Sequence, residues 1–293
     1  MIEGIDVSSN QGKMVWEDSR AAGASFAISR VGYEYIADTQ FTANWNMTKA
    51  MKYPRGGYWF LRHNRDPLMQ ADKMLYFLNH DFGEIEPTID VERDPYATAP
   101  VGNSLAKSIL AFTAVIDKEI SIHMGVGKKC MVYTNLYWDT YVAKYMPAEF
   151  YEGRKLWVAN YNVYRPSIPR GWTKYEFWQK SAKGNKKGRE YGATASTDID
   201  INQYWGNESD FYSEYHIQPL YPIPLNPETL HYRIERMMNV RAGPGTIYAT
   251  VGSVGTGMEV EAIDVAGNDA WIKIGTDKWV CAVQGKVRNA RRI

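Results

Sequence analysis

Asp90-Val91-Glu92 ends the apolar run Pro87-Thr88-Ile89, and the spacing of its two acids suits chemistry. Side chains at i and i+2 of a β-strand share a face, which holds two carboxyls roughly 6–7 Å apart. At the end of a buried strand each would raise the other's pKa, so one is expected to keep its proton near neutral pH. An acid beside a carboxylate is the equipment for cleaving a glycosidic bond. A solvated strand end is the plainer explanation for a lone pair of this kind. Further acids elsewhere in the chain argue against it.

Asp6 sits in the short apolar run Gly4-Ile5-Asp6-Val7-Ser8, ahead of the polar turn Ser9-Asn10-Gln11-Gly12, and Thr197-Asp198-Ile199-Asp200-Ile201-Asn202 is a second acid-bearing run. Between them, apolar and β-branched runs alternate with amphipathic stretches, the signature of parallel βα units. The pattern predicts strands at Ile2–Ser8, Phe26–Gly32, Gly57–Leu61, Pro87–Glu92, Cys130–Thr134, Leu156–Tyr161, Tyr175–Lys180 and Thr197–Ile201. Helices are predicted at Trp16–Ala22, Phe41–Met51, Pro67–His80, Ser104–Ile120 and Leu136–Tyr145, with Leu68, Met74, Leu75 and Leu78 as the buried face of the third. The gaps Asn162–Lys174 and Ser181–Ser196 are rich in Gly, Pro and Lys and read as loops. The fold class is therefore α/β, a modified (β/α)8 TIM-like barrel with about five helices. Active sites of such barrels lie at the C-terminal ends of the strands. Asp6, Asp90, Glu92 and Asp200 all fall near the ends of their runs, on strands one, four and eight.

These segments resemble the family 25 glycoside hydrolases, the Chalaropsis-type lysozymes. The resemblance runs from Met1 to about Tyr204 and includes Gly57-Tyr58-Trp59-Phe60, Val132-Tyr133-Thr134-Asn135, Leu156-Trp157-Val158-Ala159-Asn160-Tyr161 and Phe177-Trp178-Gln179. It implies a flattened barrel that hydrolyses the β-1,4 bond from N-acetylmuramic acid to N-acetylglucosamine in bacterial peptidoglycan, with retention. Glu92 would be the general acid. Asp90 would stabilise positive charge or orient the substrate's acetamido group, and Asp6 and Asp200 would complete the catalytic set. A covalent adduct and a neighbouring-group route both remain open, the i, i+2 spacing mildly favouring the second. One departure is Trp59, where the family often has a His. Asp198 adds an acid expected on the face of Asp200, as a structural group or a substrate contact.

Aromatics make up 14% of the chain, with 10 Trp and 21 Tyr, and aromatic faces stack on sugar rings while their polar edges bond hydroxyls. Tyr33, Tyr58, Tyr133, Tyr161 and Trp178 near strand ends are the candidate substrate contacts, against the alternative of core packing. Arg30 on strand two would either hold an acid in its charged form or bind substrate.

Four prolines, Pro219, Pro222, Pro224 and Pro227, crowd the stretch Gln218–Glu228 and stiffen it as a linker. The expected division is a catalytic domain over 1–210, a Pro-rich linker over 211–231 and a small all-β domain over 232–293. The last opens on Met238-Asn239-Val240-Arg241-Ala242-Gly243-Pro244-Gly245, with strands expected at Tyr248–Val254, Met258–Ile263, Trp271–Ile274 and Lys278–Val283. It resembles a bacterial SH3-like (SH3b) domain, although Gly275-Thr276-Asp277-Lys278-Trp279-Val280 is one residue longer than that family's Gly-x-x-Trp-Val. The resemblance implies binding to cell-wall peptide or cross-bridge; a structural appendage is the alternative.

The 34 basic and 33 acidic residues leave a net charge of +1. No basic patch suits nucleic acid, and no apolar run approaches the roughly 18 residues of a membrane span. Lys286, Arg288, Arg291 and Arg292 crowd the C-terminus, where attraction to anionic wall polymers would depend on salt. Cys130 and Cys281 fall in different predicted domains and read as buried thiols. His63, His80, His123, His216 and His231 are scattered, so no metal or cofactor is expected. A strand beginning at Ile2 leaves no room for a signal peptide, which suits a monomeric phage endolysin held in the host cytoplasm until a holin pore opens. A chitinase-like or other hexosaminidase and a non-catalytic wall-binding protein are the competing classes.

Overall fold

The computed structural model describes residues 2–216 and, from 230 onward, all but 244, 245, 247, 263, 267–270, 277, 282, 285, 286, 289 and 293. The chain divides into two units, 1–217 and 218–293. The prolines of the expected linker, with Pro244, Gly245, Asp277 and Lys286, lie outside the described residues.

In the first unit, eight strands close into a barrel: β1 (Glu3–Val7), β2 (Ala27–Tyr33), β4 (Arg55–Phe60), β5 (Thr88–Val91), β6 (Met131–Thr134), β7 (Leu156–Ala159), β8 (Phe177–Ser181) and β9 (Asp200–Tyr204). A two-residue strand, β3 (Ile36–Ala37), folds back on β2. Neighbours from β1 round to β8 run parallel. The helices are α1 (Trp16–Ala21), α2 (Phe41–Ala50), α3 (Pro67–Leu78), α4 (Ser104–His123), α5 (Tyr137–Tyr141) and α6 (Glu208–Glu214).

The last strand corrects the expected parallel topology. β9 begins at Asp200, later than the run Thr197–Ile201, and pairs antiparallel with both β8 and β1. Parallel neighbours need a long crossover, usually a helix. The chain from β8 to β9 instead holds only a one-turn 3-10 helix, Gly184–Lys186. It therefore returns at the rim it left, and β9 starts where the other strands end.

Local sequence sets the helix ends. Asp66 caps α3 by accepting from the backbone N–H groups of Leu68 and Met69, Pro67 occupies the first turn, and Asn79 closes it in the left-handed region. This is the favoured chemistry at each terminus. The inward face of α3 is Gln70, Ala71, Met74 and Leu78. Leu68, expected there, is 51% exposed, because at 3.6 residues per turn it lies roughly 100° around the helix from the centre of that face. The predicted helix over Leu136–Tyr145 is broken into α5 and a 3-10 turn at Ala143–Tyr145.

Aromatic residues fill the lower barrel. Phe26 meets Phe177 at 4.9 Å and Phe211 at 5.6 Å between ring centroids. Phe211 belongs to α6, which the sequence reading did not anticipate, and it is fully buried with Tyr215 beside it. Removing such a ring costs about 3–5 kcal/mol. The first unit thus runs past residue 210 because α6 supplies part of its core.

In the second unit, Met238–Arg241 lies between Thr250–Val254 and Lys278–Cys281 in a five-stranded antiparallel sheet that continues through Trp271–Gly275 to Asp264–Ala266. A three-stranded sheet joins Glu259–Ala262, Leu230–Ile234 and Ala290–Arg292. Alternation buries Met238 and Val240 with Ile234, Val254, Ile272 and Val280. Arg241 donates to the carbonyls of Thr246 and Tyr248. Among the described residues no helix is long and apolar enough to cross a membrane.

Candidate active site

At the rim where the parallel strands end, Asp6, Asp90, Glu92 and Asp200 line one cavity of about 240 Å³. They arrive as two pairs, each by its own backbone device. Asp6 lies on β1 directly opposite Asp200 of β9, and cross-strand partners point to the same face of a sheet. Asp90 lies within β5 and Glu92 just past its end, so the i, i+2 rule carries both to the lumen. The rim also has two breaks of register, between Arg30 and Gly32 of β2 and between Gln179 and Ser181 of β8. Irregularities of this kind re-aim side chains beside active sites.

After β1 the chain turns sharply. The Ser8 and Gln11 side chains bond each other's backbone as a capping box, and Gly12 follows at φ 72°. A side chain at Gly12 would be strained by that φ and would meet Ala195 at 2.6 Å. The turn places Ser8 and Asn10 in the cavity wall.

Burial dominates the electrostatics. It raises Asp6 to about 6, opposed by hydrogen bonds from Asn202 and Gln179. Glu92 is raised to about 7, first by burial and then by the negative charge of Asp6. Asp200 is raised to about 9 by burial and by the Asp6 and Glu92 charges. Asp90 stands well above the usual carboxylate range through burial, Glu92 and Asp6, with Arg30 opposing. Its Oδ1 is buried and accepts no hydrogen bond. Arg30, the one cation in the described wall, is already committed: its Nη2 stands 2.7 Å from Asp38 Oδ2 and donates to Ser9 Oγ at 3.0 Å. Four acids thus share a pocket whose lone cation is largely neutralised by another carboxylate.

Of the predicted aromatic contacts, Tyr58, Tyr133 and Tyr161 line the cavity. Tyr33 lines an adjoining hollow of about 670 Å³ that shares Asn10, Arg30, Phe60 and Glu92 with it. Trp178 does not reach either hollow. It is buried against Leu156, Val158 and Tyr175, and its indole N–H donates to the Asn160 carbonyl. The correction follows from strand period: Phe177 and Gln179 face the lumen, so Trp178 between them faces out. Asp198 stands before β9, half-buried, outside the cavity wall. Trp59 also points outward, fully buried, with its indole N–H on Gln70 Oε1, so a Trp at this position leaves the cavity wall untouched.

The sequence reading missed Gln179, Asn202 and Trp157 as site residues. Gln179 is 4% exposed and Asn202 fully buried. Polar amides inside apolar strands were the available signal, since buried polar groups require partners.

The model of the glycosyl hydrolases family 25 matches residues 5–189. The chain belongs to this family. Asp6, Asp90 and Glu92 lie inside the matched segment; Asp200 lies beyond it and is brought to the site by the pairing of β9 with β1. Among relatives, Lysozyme M1 of Streptomyces globisporus is 29% identical over 218 residues, covering 70% of this chain and 68% of that protein. The N,O-diacetylmuramidase of Chalaropsis sp is 28% identical over 193 residues, 61% of this chain and 88% of that protein. The bacterial lysozyme structure from Streptomyces coelicolor superposes with a TM-score of 0.61 at 24% identity, covering 73% of this chain and 96% of the other. This family-25 chain is a glycoside hydrolase.

Proposed function

We propose that the protein is a peptidoglycan hydrolase of the muramidase type, cleaving the β-1,4 bond between N-acetylmuramic acid and N-acetylglucosamine. The observation that carries this reading is the convergence of Asp6, Asp90, Glu92 and Asp200 on one aromatic-walled cavity; relatives named as lysozyme and diacetylmuramidase support it. Glu92, raised to about 7, holds its proton at mildly acidic pH and gives it to the bridging oxygen as the C–O bond breaks. Asp90 offers its unpaired Oδ1 to the N–H of the 2-acetamido group. That group's carbonyl oxygen attacks the anomeric carbon, and water then opens the cyclic ion from the opposite face, losing its proton to the Glu92 carboxylate. Two inversions leave the configuration retained. Tyr58, Tyr133 and Tyr161 serve as sugar contacts, with Tyr33 and Arg30 toward the adjoining hollow.

The second unit is read as an SH3b-like module that holds the enzyme on cell-wall peptide or cross-bridge; its antiparallel sheets and the Met238–Arg241 strand that carries the Asn-Val-Arg segment support that reading. A role as a phage endolysin, released to the wall late in infection, fits a lytic unit joined to such a module. The deciding experiment is clearing of purified peptidoglycan followed by mass spectrometry of the released ends. Reducing-end N-acetylmuramic acid is expected. Reducing-end N-acetylglucosamine would make the enzyme a glucosaminidase, and no release would leave a wall-binding protein.

A further inference from the structure

Asp6 differs from the other three acids in what touches it. Its Oδ2 accepts two amide N–H groups, from Gln179 Nε2 at 2.8 Å and from Asn202 Nδ2 at 2.8 Å. Both amides are held in that orientation from behind. The Trp157 indole N–H, which can only donate, bonds Asn202 Oδ1 at 2.8 Å, so the amide's other end must face Asp6. The hydroxyls of Tyr133 and Tyr161 both donate to Gln179 Oε1, at 2.8 and 2.5 Å, which fixes Gln179 in the same sense. We propose that Gln179 and Asn202 are positioning residues that keep Asp6 the ionised member of the four-acid cluster, and that Trp157, Tyr133 and Tyr161 lock them into that task.

Two N–H donors on Oδ2 favour the charged carboxylate, because an ionised oxygen is a stronger acceptor than the carbonyl of a neutral carboxyl. The other groups that face Asp6 are Arg30 on β2, Tyr58 on β4, Asp90 and Glu92 at the end of β5, and Asp200 on β9. Arg30 is turned to Asp38, and the remaining acids repel a charge on Asp6, so the two amides are its main support. The consequence reaches Glu92. The Asp6 charge is the one neighbouring influence, after burial, that raises the Glu92 carboxyl. The amide pair thereby keeps the acid protonated where Glu92 must donate. This rests on the proposed role of Glu92, yet it makes a separate claim about Asp6.

The test uses the full chain carrying carboxyl-13C aspartate, with the Asp6 signal assigned by its loss in Asp6→Asn. The parent Asp6 is expected to titrate near 6. Gln179→Leu and Asn202→Leu should each move that midpoint upward by about one pH unit, equivalent to a tenfold change in the ionisation equilibrium. Tyr161→Phe, which deletes only an orienting hydroxyl on a partly exposed side chain, should move it the same way by less. In kcat/KM on soluble glycan fragments the bell should narrow: the acid limb rises with Asp6, and the alkaline limb falls because Glu92 loses a like-charged neighbour. An Asp6 midpoint unchanged in folded Tyr161→Phe and Gln179→Leu overturns the proposal, as does uniform loss of rate with no change of profile. If the parent hydrolyses nothing, the proposed function fails while the titration still decides the role of the amides.

Discussion

The two ends of the barrel solve the same problem in opposite ways. At the N-terminal ends of the strands, the fully buried Glu86 side chain sits between Lys128 at 2.8 Å and Lys155 at 2.9 Å. Glu214 of α6 meets the same two lysines at 2.9 and 2.6 Å, and Glu176 lies 3.5 Å from Lys155. Burial would raise Glu214, but hydrogen bonds from Lys155 and Lys128 outweigh it and bring it down to about 2. At the opposite rim, Asp6, Asp90, Glu92 and Asp200 have desolvation without matching cations, and all four are raised. At the lysine end Glu214 is held as a charge that anchors α6, while Glu176 is still raised by burial, against Lys155 and the Tyr215 hydroxyl. The other end raises the proton affinity of its carboxyls, at a cost in stability, as the proposed role of Glu92 requires. Two lysine partners are enough to reverse the effect of burial at Glu214, and among the described residues no such pair faces the four acids of the rim.

The largest effect that would break this contrast is at Glu92. Glu92→Gln is nearly isosteric but carries no transferable proton, so kcat should fall by about 10²–10⁴-fold, with circular dichroism unchanged. In the parent, activity should decline on the alkaline side of about 7 as Glu92 ionises. A mutant that clears walls at the parental rate, or a parent with a flat profile up to alkaline pH, removes Glu92 as the acid.

Next comes the opposite end. Lys155→Met leaves Glu86, Glu176 and Glu214 short of a shared cation and should destabilise the first unit by about 3 kcal/mol, read by urea unfolding. The kcat of the folded fraction at low temperature should be unchanged. The Glu214 carboxylate, depressed in the fold, stabilises above its unfolded pKa, and that contribution fades as pH falls toward about 2. The stability difference between parent and Lys155→Met should therefore shrink under strong acid.

Asp200→Asn should act in the reverse sense. A carboxyl raised to about 9 favours the fold below its unfolded pKa and loses that contribution as pH rises toward the folded value. Removing the titration should raise the thermal midpoint at pH 8, by about 2–4 °C for each kcal/mol recovered in a unit of this size. The gain should vanish near pH 3, while activity drops. A midpoint lowered equally at both pH values would mean that Asp200 has a structural role like that of Glu86.

The smallest expected effect is at Trp178→Phe. Because Trp178 packs outside the barrel, KM on soluble glycan should stay within about twofold, and the change should appear only as a modest loss of stability. A selective rise in KM would place Trp178 in the cleft after all.

How much of this was legible in the chain depends on the range of the forces involved. Runs such as Pro87–Glu92 and Leu156–Tyr161 carry their own strand signal, and each proved to contain a barrel strand. The Asp-x-Glu spacing fixes a shared face through strand period alone. Asp66-Pro67 likewise announces the start of α3 in the residues that cap it. These features follow from neighbours in sequence.

Direction, partners and protonation depend on tertiary structure. A single short strand has no preference for parallel or antiparallel pairing, so β9 was oriented only by closing between β8 and β1. Leu68 and Trp178 were misjudged because type and hydrophobicity do not say which side of an element meets the core. Gln179 and Asn202 reach Asp6 from 173 and 196 residues away in sequence, a contact without local trace. The same holds for the proton affinities. An Asp in the chain is an ordinary carboxylic acid; whether it meets two lysines or three other acids is decided when the barrel closes.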